Sequence, residues 1–155
     1  MRKKCIFLAA AILILAGVYL ISASGASVRA VVPLESVLIA DTQALKELGL
    51  GRRDSLDQRT GMLFIFDQPG RHGFWMKDMR FPIDIVWLDE NLIVTHVEEN
   101  ISPATYDSAK PSASKIFDPE QKSSFVLEVS AGIARKNNYT EGNSLGFLRQ
   151  YIYTK

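Results

Sequence analysis

A single cysteine, Cys5, in a chain of 155 residues excludes a disulfide framework. Because Cys5 heads an apolar run, everything after that run lacks a thiol for nucleophilic attack or metal ligation. Histidine is almost as scarce, with His72 and His96 the whole supply. His96 with Glu98 and Glu99 does not build the H-E-x-x-H pattern of a zinc helix. Asp84, Glu98, Glu99 and Glu128 lack the dense alternation of a calcium loop, so no metal and no cofactor is expected. No G-x-S-x-G elbow surrounds the loop serines Ser102, Ser108, Ser112 and Ser114, and the scattered glycines form no phosphate loop. An excess of one charge is also missing. The chain has 18 Lys+Arg against 17 Asp+Glu, and three of the bases are Arg2, Lys3 and Lys4, so no nucleic-acid partner is expected. Nor are there amphipathic helices of ~10–15 residues to cover a doubly wound sheet.

What is present begins with an export-type leader. Arg2, Lys3 and Lys4 precede an uncharged run from Cys5 to Ile21, after which small residues start at Ser22. The run is longer than the ~7–15 residues of a signal-peptide core and short for the ~20 of a membrane-spanning helix. Two outcomes follow: a retained anchor through residues 5–21 with the basic end inside, or a signal peptide cleaved after Ala26, where Ser24 and Ala26 satisfy the small-x-small rule. Both place the rest outside the cytoplasm, attached to a membrane or secreted. The expected organisation is a leader and tether over residues 1–30 and a single domain over residues 31–155.

Within that domain, residues 31–40 read as an extended segment interrupted by Pro33, suited to an edge strand or one beginning after the proline. Asp41 or Thr42 caps a short helix ending at Gly49. Met62–Phe66 and His72–Met76 read as a hairpin around Asp67, Gln68, Pro69 and Gly70. Ile83–Leu88 and Leu92–Glu98 read as a second hairpin. Residues 100–121, with Pro103, Pro111 and Pro119, form a long loop of the kind that is often functional. Ser124–Val129 is a further strand, Ser130–Lys136 one helical turn, and Leu145–Tyr153 a terminal strand or bent pair. Short strands with Gly and Pro turns predict a mainly β domain, a compact antiparallel sandwich or open barrel with one or two short helices.

The stretch from Gly61 to Leu88 holds both tryptophans, three of the four methionines and four of the eight phenylalanines. Most of these serve a core; Trp75, beside Lys77 at a strand end, is the preferred member of a binding site. Asp84 stands in an apolar strand and, if buried, requires backbone donors or a base, for which Lys77, Arg80 and Arg59 are candidates. Glu128 sits likewise inside Phe125-Val-Leu-Glu-Val129. The candidate ligand-binding residues are therefore Trp75, Lys77, Asp84, Glu128 and Arg59; no residue is assigned to catalysis.

GMLFIF, a short turn, FWMKDM, then FPIDIVWLDE and IVTHVEE resemble the signature of the DUF192 (UPF0127) family. The resemblance extends from Val37 to Leu148 through VLIADTQALKELGLGRRDSL and FVLEVSAGIARKNNYTEGN. It implies a compact β domain, often behind a signal or anchor, with no established biochemical activity. The chain departs from the family pattern at Asp78, where Asn is usual, at Ile83, where Leu is usual, and at Asn143, which replaces a frequent Asp.

Three functions compete on these grounds. The first is a non-catalytic binding or accessory domain of the cell envelope, taking a sugar, peptide or small molecule near Trp75, Lys77, Asp84 and the 100–121 loop. The second is a hydrolase acting on an envelope substrate with Asp84 and a second acid, such as Glu128, facing one cleft. The third is a structural component that assembles through its β edges.

Overall fold

The computed structural model describes residues 29–152. Strands β1 (Ser36–Ala40), β2 (Thr60–Gly70), β3 (Ile83–Leu88), β4 (Val94–Ile101) and β5 (Ser123–Ser130) form one sheet in the order β1-β2-β5-β3-β4. β1 runs parallel to β2, and the other three pairings are antiparallel. The helices are short: α1 (Gln43–Leu48), α2 (Ile133–Lys136) and α3 (Arg149–Ile152). The domain is mainly β, but its two edges, β1 and β4, do not pair, and among the described residues no second sheet faces the first. The expected sandwich or barrel is thus corrected to a single open sheet.

Two of the local expectations meet a different partner. Met62–Phe66 lies in β2 but forms no hairpin with residues 72–76, because both sides of β2 are taken by β1 and β5. Phe74 instead makes an isolated bridge with Phe117 in the long loop. The terminal segment is not a strand: Gly146–Leu148 is a 3-10 turn that leads into α3, with Leu148 buried under the sheet. The other elements form as their residues dictate. Thr42 Oγ1 accepts the Leu45 N–H at 3.3 Å to start α1, and Gly49, at φ 52°, stops it by donating its N–H to the Leu45 carbonyl. β1 begins after Pro33 and lies at the edge.

β5 is the middle strand and is covered on both sides. Its alternate residues Leu127 and Val129 join Leu63, Val86 and Leu88 under α2, Tyr139 and Leu145. Val126 joins Met62, Phe64, Ile85 and Trp87 on the second face, against Leu50, Phe74, Met76 and Phe117. Each fully buried side chain of this kind stabilises by roughly 1.5–3 kcal/mol. Gly61 permits the close packing at the first face, since a Cβ there would come within 2.7 Å of Leu34 Cδ1 and 2.9 Å of Leu127 Cδ1.

Asp84 ties three elements together. It is fully buried on β3 and pairs in register with Val129. Opposite it β4 carries one extra residue, since Ile83 faces Ile101 but Ile85 faces Glu98. The Asn100 N–H, exposed by that bulge, donates to Asp84 Oδ1 at 2.8 Å, and the Ala134 N–H donates to Oδ2 at 2.9 Å. Ala134 is the second residue of α2, whose own N-cap position is Gly132 and has no side chain to offer. The carboxylate of Asp84 therefore caps a helix from another strand.

The expectations of a transmembrane helix or signal peptide and of membrane attachment through residues 5–21 are corrected as well, and nothing among the described residues bears on an extracytoplasmic location. Among the described residues no helix is long and apolar enough to cross a membrane, and residues 5–21 lie outside them.

Replacing Asp84 by alanine removes the acceptor from two buried N–H groups. The expected loss is about 3 kcal/mol of unfolding free energy, from two bonds to a charged acceptor. Urea denaturation of Asp84→Ala beside the exposed Glu90→Ala measures it; equal midpoints would show that the clamp is not needed.

Candidate functional site

On the second face the connection from β1 to β2 folds back over the sheet and leaves a cavity of about 600 Å³. α1 with Gly49 and Leu50 forms one wall, the end of β2 another, and residues 71–79 a third, while Glu128 reaches it from β5. The cavity is graded in polarity. Phe64, Phe74, Leu50 and Glu128 are buried at its inner end, Lys46, Phe66 and His72 are half-buried, and Glu47, Asp67, Arg71, Trp75 and Lys77 are exposed around it.

The inner end owes its shape to strand alternation. Glu128 shares its face with Val126 and lies between Met62 on β2 and Ile85 on β3. It is 4% exposed. The carboxyl accepts the Leu50 N–H, yet Oε2 has no hydrogen-bond partner. Burial pushes its pKa up to about 8, with the Leu50 N–H acting in the opposite sense. At neutral pH the group is therefore a carboxylic acid, able to donate as well as accept. Gly49 is the nearest roof: a Cβ there would lie 3.5 Å from Glu128 Oε2 and 3.4 Å from Phe64 Cζ.

The aromatic walls are locked to one another. Phe64 and Phe74 meet edge to face at 4.9 Å, and Phe74 meets Trp87 likewise at 6.0 Å. Trp87 Nε1 donates to the His72 carbonyl at 2.8 Å and so fixes the segment that carries the third wall. The His72 ring stacks on Phe66 with centroids 3.5 Å apart, and Lys46 Nζ lies 4.9 Å from the centre of the same Phe66 ring. His72 Nε2 is buried without a hydrogen-bond partner. Burial lowers the His72 pKa, against the carbonyls of Gln68 and Ser123 and with the help of the Lys46 charge. Arg71 is drawn outward by Asp118 at 2.8 Å. At the rim, Trp75 is 48% exposed and its ring approaches Tyr106 of the long loop at 6.3 Å.

Of the residues singled out from sequence, Trp75, Lys77 and Glu128 line this one cavity. Asp84 and Arg59 do not. Asp84 lies on the opposite face of the sheet, paired with Val129, where both its oxygens are taken by backbone donors. Arg59 is exposed and pairs with Glu35 at 2.8 Å and Asp57 at 3.8 Å. A carboxylate pair made of Asp84 and Glu128 is therefore impossible, because the sheet separates them. Sequence reasoning did not single out Lys46, Phe66 or His72 as lining the cavity that Glu128 enters. The signal for Phe66 was its even spacing from Met62 and Phe64; nothing local marks Lys46 or His72. Among the described residues no group of His, Cys, Asp and Glu side chains is arranged to hold a metal ion.

Comparison with known proteins agrees with this architecture. A protein from Sinorhizobium meliloti 1021, described as a candidate transcription regulator, superposes with a TM-score of 0.60 at 25% identity, over 68% of this chain and 76% of its own. A protein of unknown function from Novosphingobium aromaticivorans DSM 12444 gives a TM-score of 0.60 at 24% identity, over 70% of this chain and 71% of its own. No curated protein matches. The family described as "Uncharacterized ACR", DUF192, matches residues 26–147, and the chain belongs to it.

Proposed function

We propose that this domain binds a small organic molecule in the cavity between α1 and the second face of the sheet, with Glu128 as the polar anchor at the inner end. The observation that carries the reading is the unpartnered Oε2 of a buried glutamate at the base of an aromatic cavity. A buried polar atom without a hydrogen bond costs roughly 1–3 kcal/mol. That cost is offset when a ligand supplies the missing bond. Size and composition agree, since ligand cavities of about 300–1,000 Å³ are mostly apolar with a few convergent polar groups. Trp75 and Lys77 form the outer contacts. Binding rather than hydrolysis is favoured because Glu128 has no second carboxyl beside it on this face among the buried residues.

Screening a fragment library by amide chemical-shift mapping tests the reading. Hits are expected to move the amides of Gly49, Leu50, Phe74 and Trp75, and Leu48→Trp, which fills the cavity from a half-exposed position, is expected to remove them. Hits that move only other surfaces would refute it.

The protonated glutamate also has a consequence for stability. Between the ordinary carboxyl pKa of 4.5 and about 8 the unfolded chain gives up the Glu128 proton while the folded chain keeps it. The folded state thus binds more protons, and unfolding free energy falls as pH rises through that window. Glu128→Gln has no proton to lose. Its stability relative to the parent chain is expected to increase from pH 4.5 to pH 8, by an amount on the order of a few kcal/mol. Denaturation curves at several pH values measure the difference; a constant offset would show that Glu128 is ionised in the folded state.

A further inference from the structure

Resting on that reading, we infer that the cavity selects small organic cations, a primary or quaternary ammonium group seated among Phe64, Phe66 and Phe74 with its charge against the Glu128 carboxylate. Three observations lead there. The inner end offers one polar side chain, Glu128, with an oxygen that lacks a partner, and among the described residues no lysine or arginine compensates it. The walls around it are ring faces and edges, which attract cations through the ring quadrupole. One of these rings already carries an ammonium, since Lys46 Nζ lies over Phe66 at 4.9 Å.

The remaining charges do not oppose this choice. Lys46 and Glu47 come from α1, Asp67 from β2, and Arg71, His72 and Lys77 from the segment that forms the third wall. Glu47, Asp67, Arg71 and Lys77 are exposed, two of each sign, so solvent screens them and their signs balance. Burial lowers the His72 pKa and so disfavours its charged form, and from β2 and β3 the side chains beside Glu128 are Met62 and Ile85. Among the described residues the half-buried Lys46 is the cation that competes for the same rings, on a flexible four-carbon stem.

Binding then has a defined proton balance. The resting carboxylic acid meets an ammonium ion, the carboxyl proton leaves to solvent, and a carboxylate–ammonium pair remains, with no bond to the ligand made or broken. Below the carboxyl's own pKa, affinity rises about tenfold per pH unit, because one proton is released for each cation bound.

The test uses the full chain with n-butylammonium and tetramethylammonium as probes and n-butanol and butyrate as controls, followed at the amides of Gly49, Leu50 and Phe74. Calorimetry in buffers of different ionisation enthalpy counts the protons. Both cations are expected to bind more tightly than butanol or butyrate, to tighten from pH 6 to pH 8, and to release close to one proton at pH 6. Glu128→Gln is expected to abolish the pH dependence and weaken the cations at pH 8 at least tenfold. Proton release is read on the unaltered chain, so the result stands even if that variant folds poorly. Cations that bind no better than butanol, or with an affinity flat in pH, overturn the inference; if butanol or butyrate still moves the same amides, the cavity remains a ligand site of another class. A pH dependence that survives in folded Glu128→Gln assigns the titration to His72 and also overturns it.

Discussion

Everything distinctive about this domain follows from the middle strand being covered on both faces. β5 pairs with β2 on one side and β3 on the other, and apolar side chains pack above and below it. Such a strand has no solvent side on which to place a charge. Glu128 stands there nevertheless, and its surroundings respond as physics requires: one oxygen takes a backbone donor and the proton is retained. A hydrophobic residue of similar volume would fill the position at lower cost. Packing gains nothing from the acid, and the ligand role proposed for it rests on that excess.

Asp84 and Glu128 are a contrast in how a sheet houses acids. Neighbouring strands carry them, one residue out of step, and the pleat sends one to each face. Asp84 meets two backbone N–H groups freed by a bulge and by an uncapped helix, so it remains wholly internal. Glu128 meets one and is left with a surplus oxygen. The same chemical group is a fastener on one side of the sheet and a reserve of unmet hydrogen bonding on the other.

Local signals in the sequence located most elements. The cap at Thr42, the stop at Gly49, the β3–β4 hairpin around Asp89 and the strand at residues 123–130 are written in residues close to one another. Pairing partners were not. Met62–Phe66 looked like half of a hairpin because a turn signal at Pro69 and Gly70 follows it, whereas β2 runs on through both residues and its neighbours come from residues 36–40 and 123–130. Strand register, which depends on those distant partners, decides the face of every side chain. The spacing of Asp84 and Glu128 could not show that they point apart, and the proximity of Lys46 to Phe66 arises only when the β1–β2 connection folds over the sheet. Leu145–Tyr153 carries β-prone aromatics but follows a turn that delivers Leu148 to the core as part of a 3-10 turn, a tertiary demand that overrides propensity.

The roof over the inner carboxyl is the weakest piece of regular structure near it. α1 has six residues, none of them buried, and two of its leucines, Leu45 and Leu48, are 40% and 45% exposed. So short a helix holds together through its caps, and segments with few buried contacts open at small cost in free energy. Loosening its last turn lifts Gly49 away from Oε2, and re-forming it closes the chamber again. For a guest bound as proposed, release would then be set by a hinge of one helical turn rather than by the sheet beneath it.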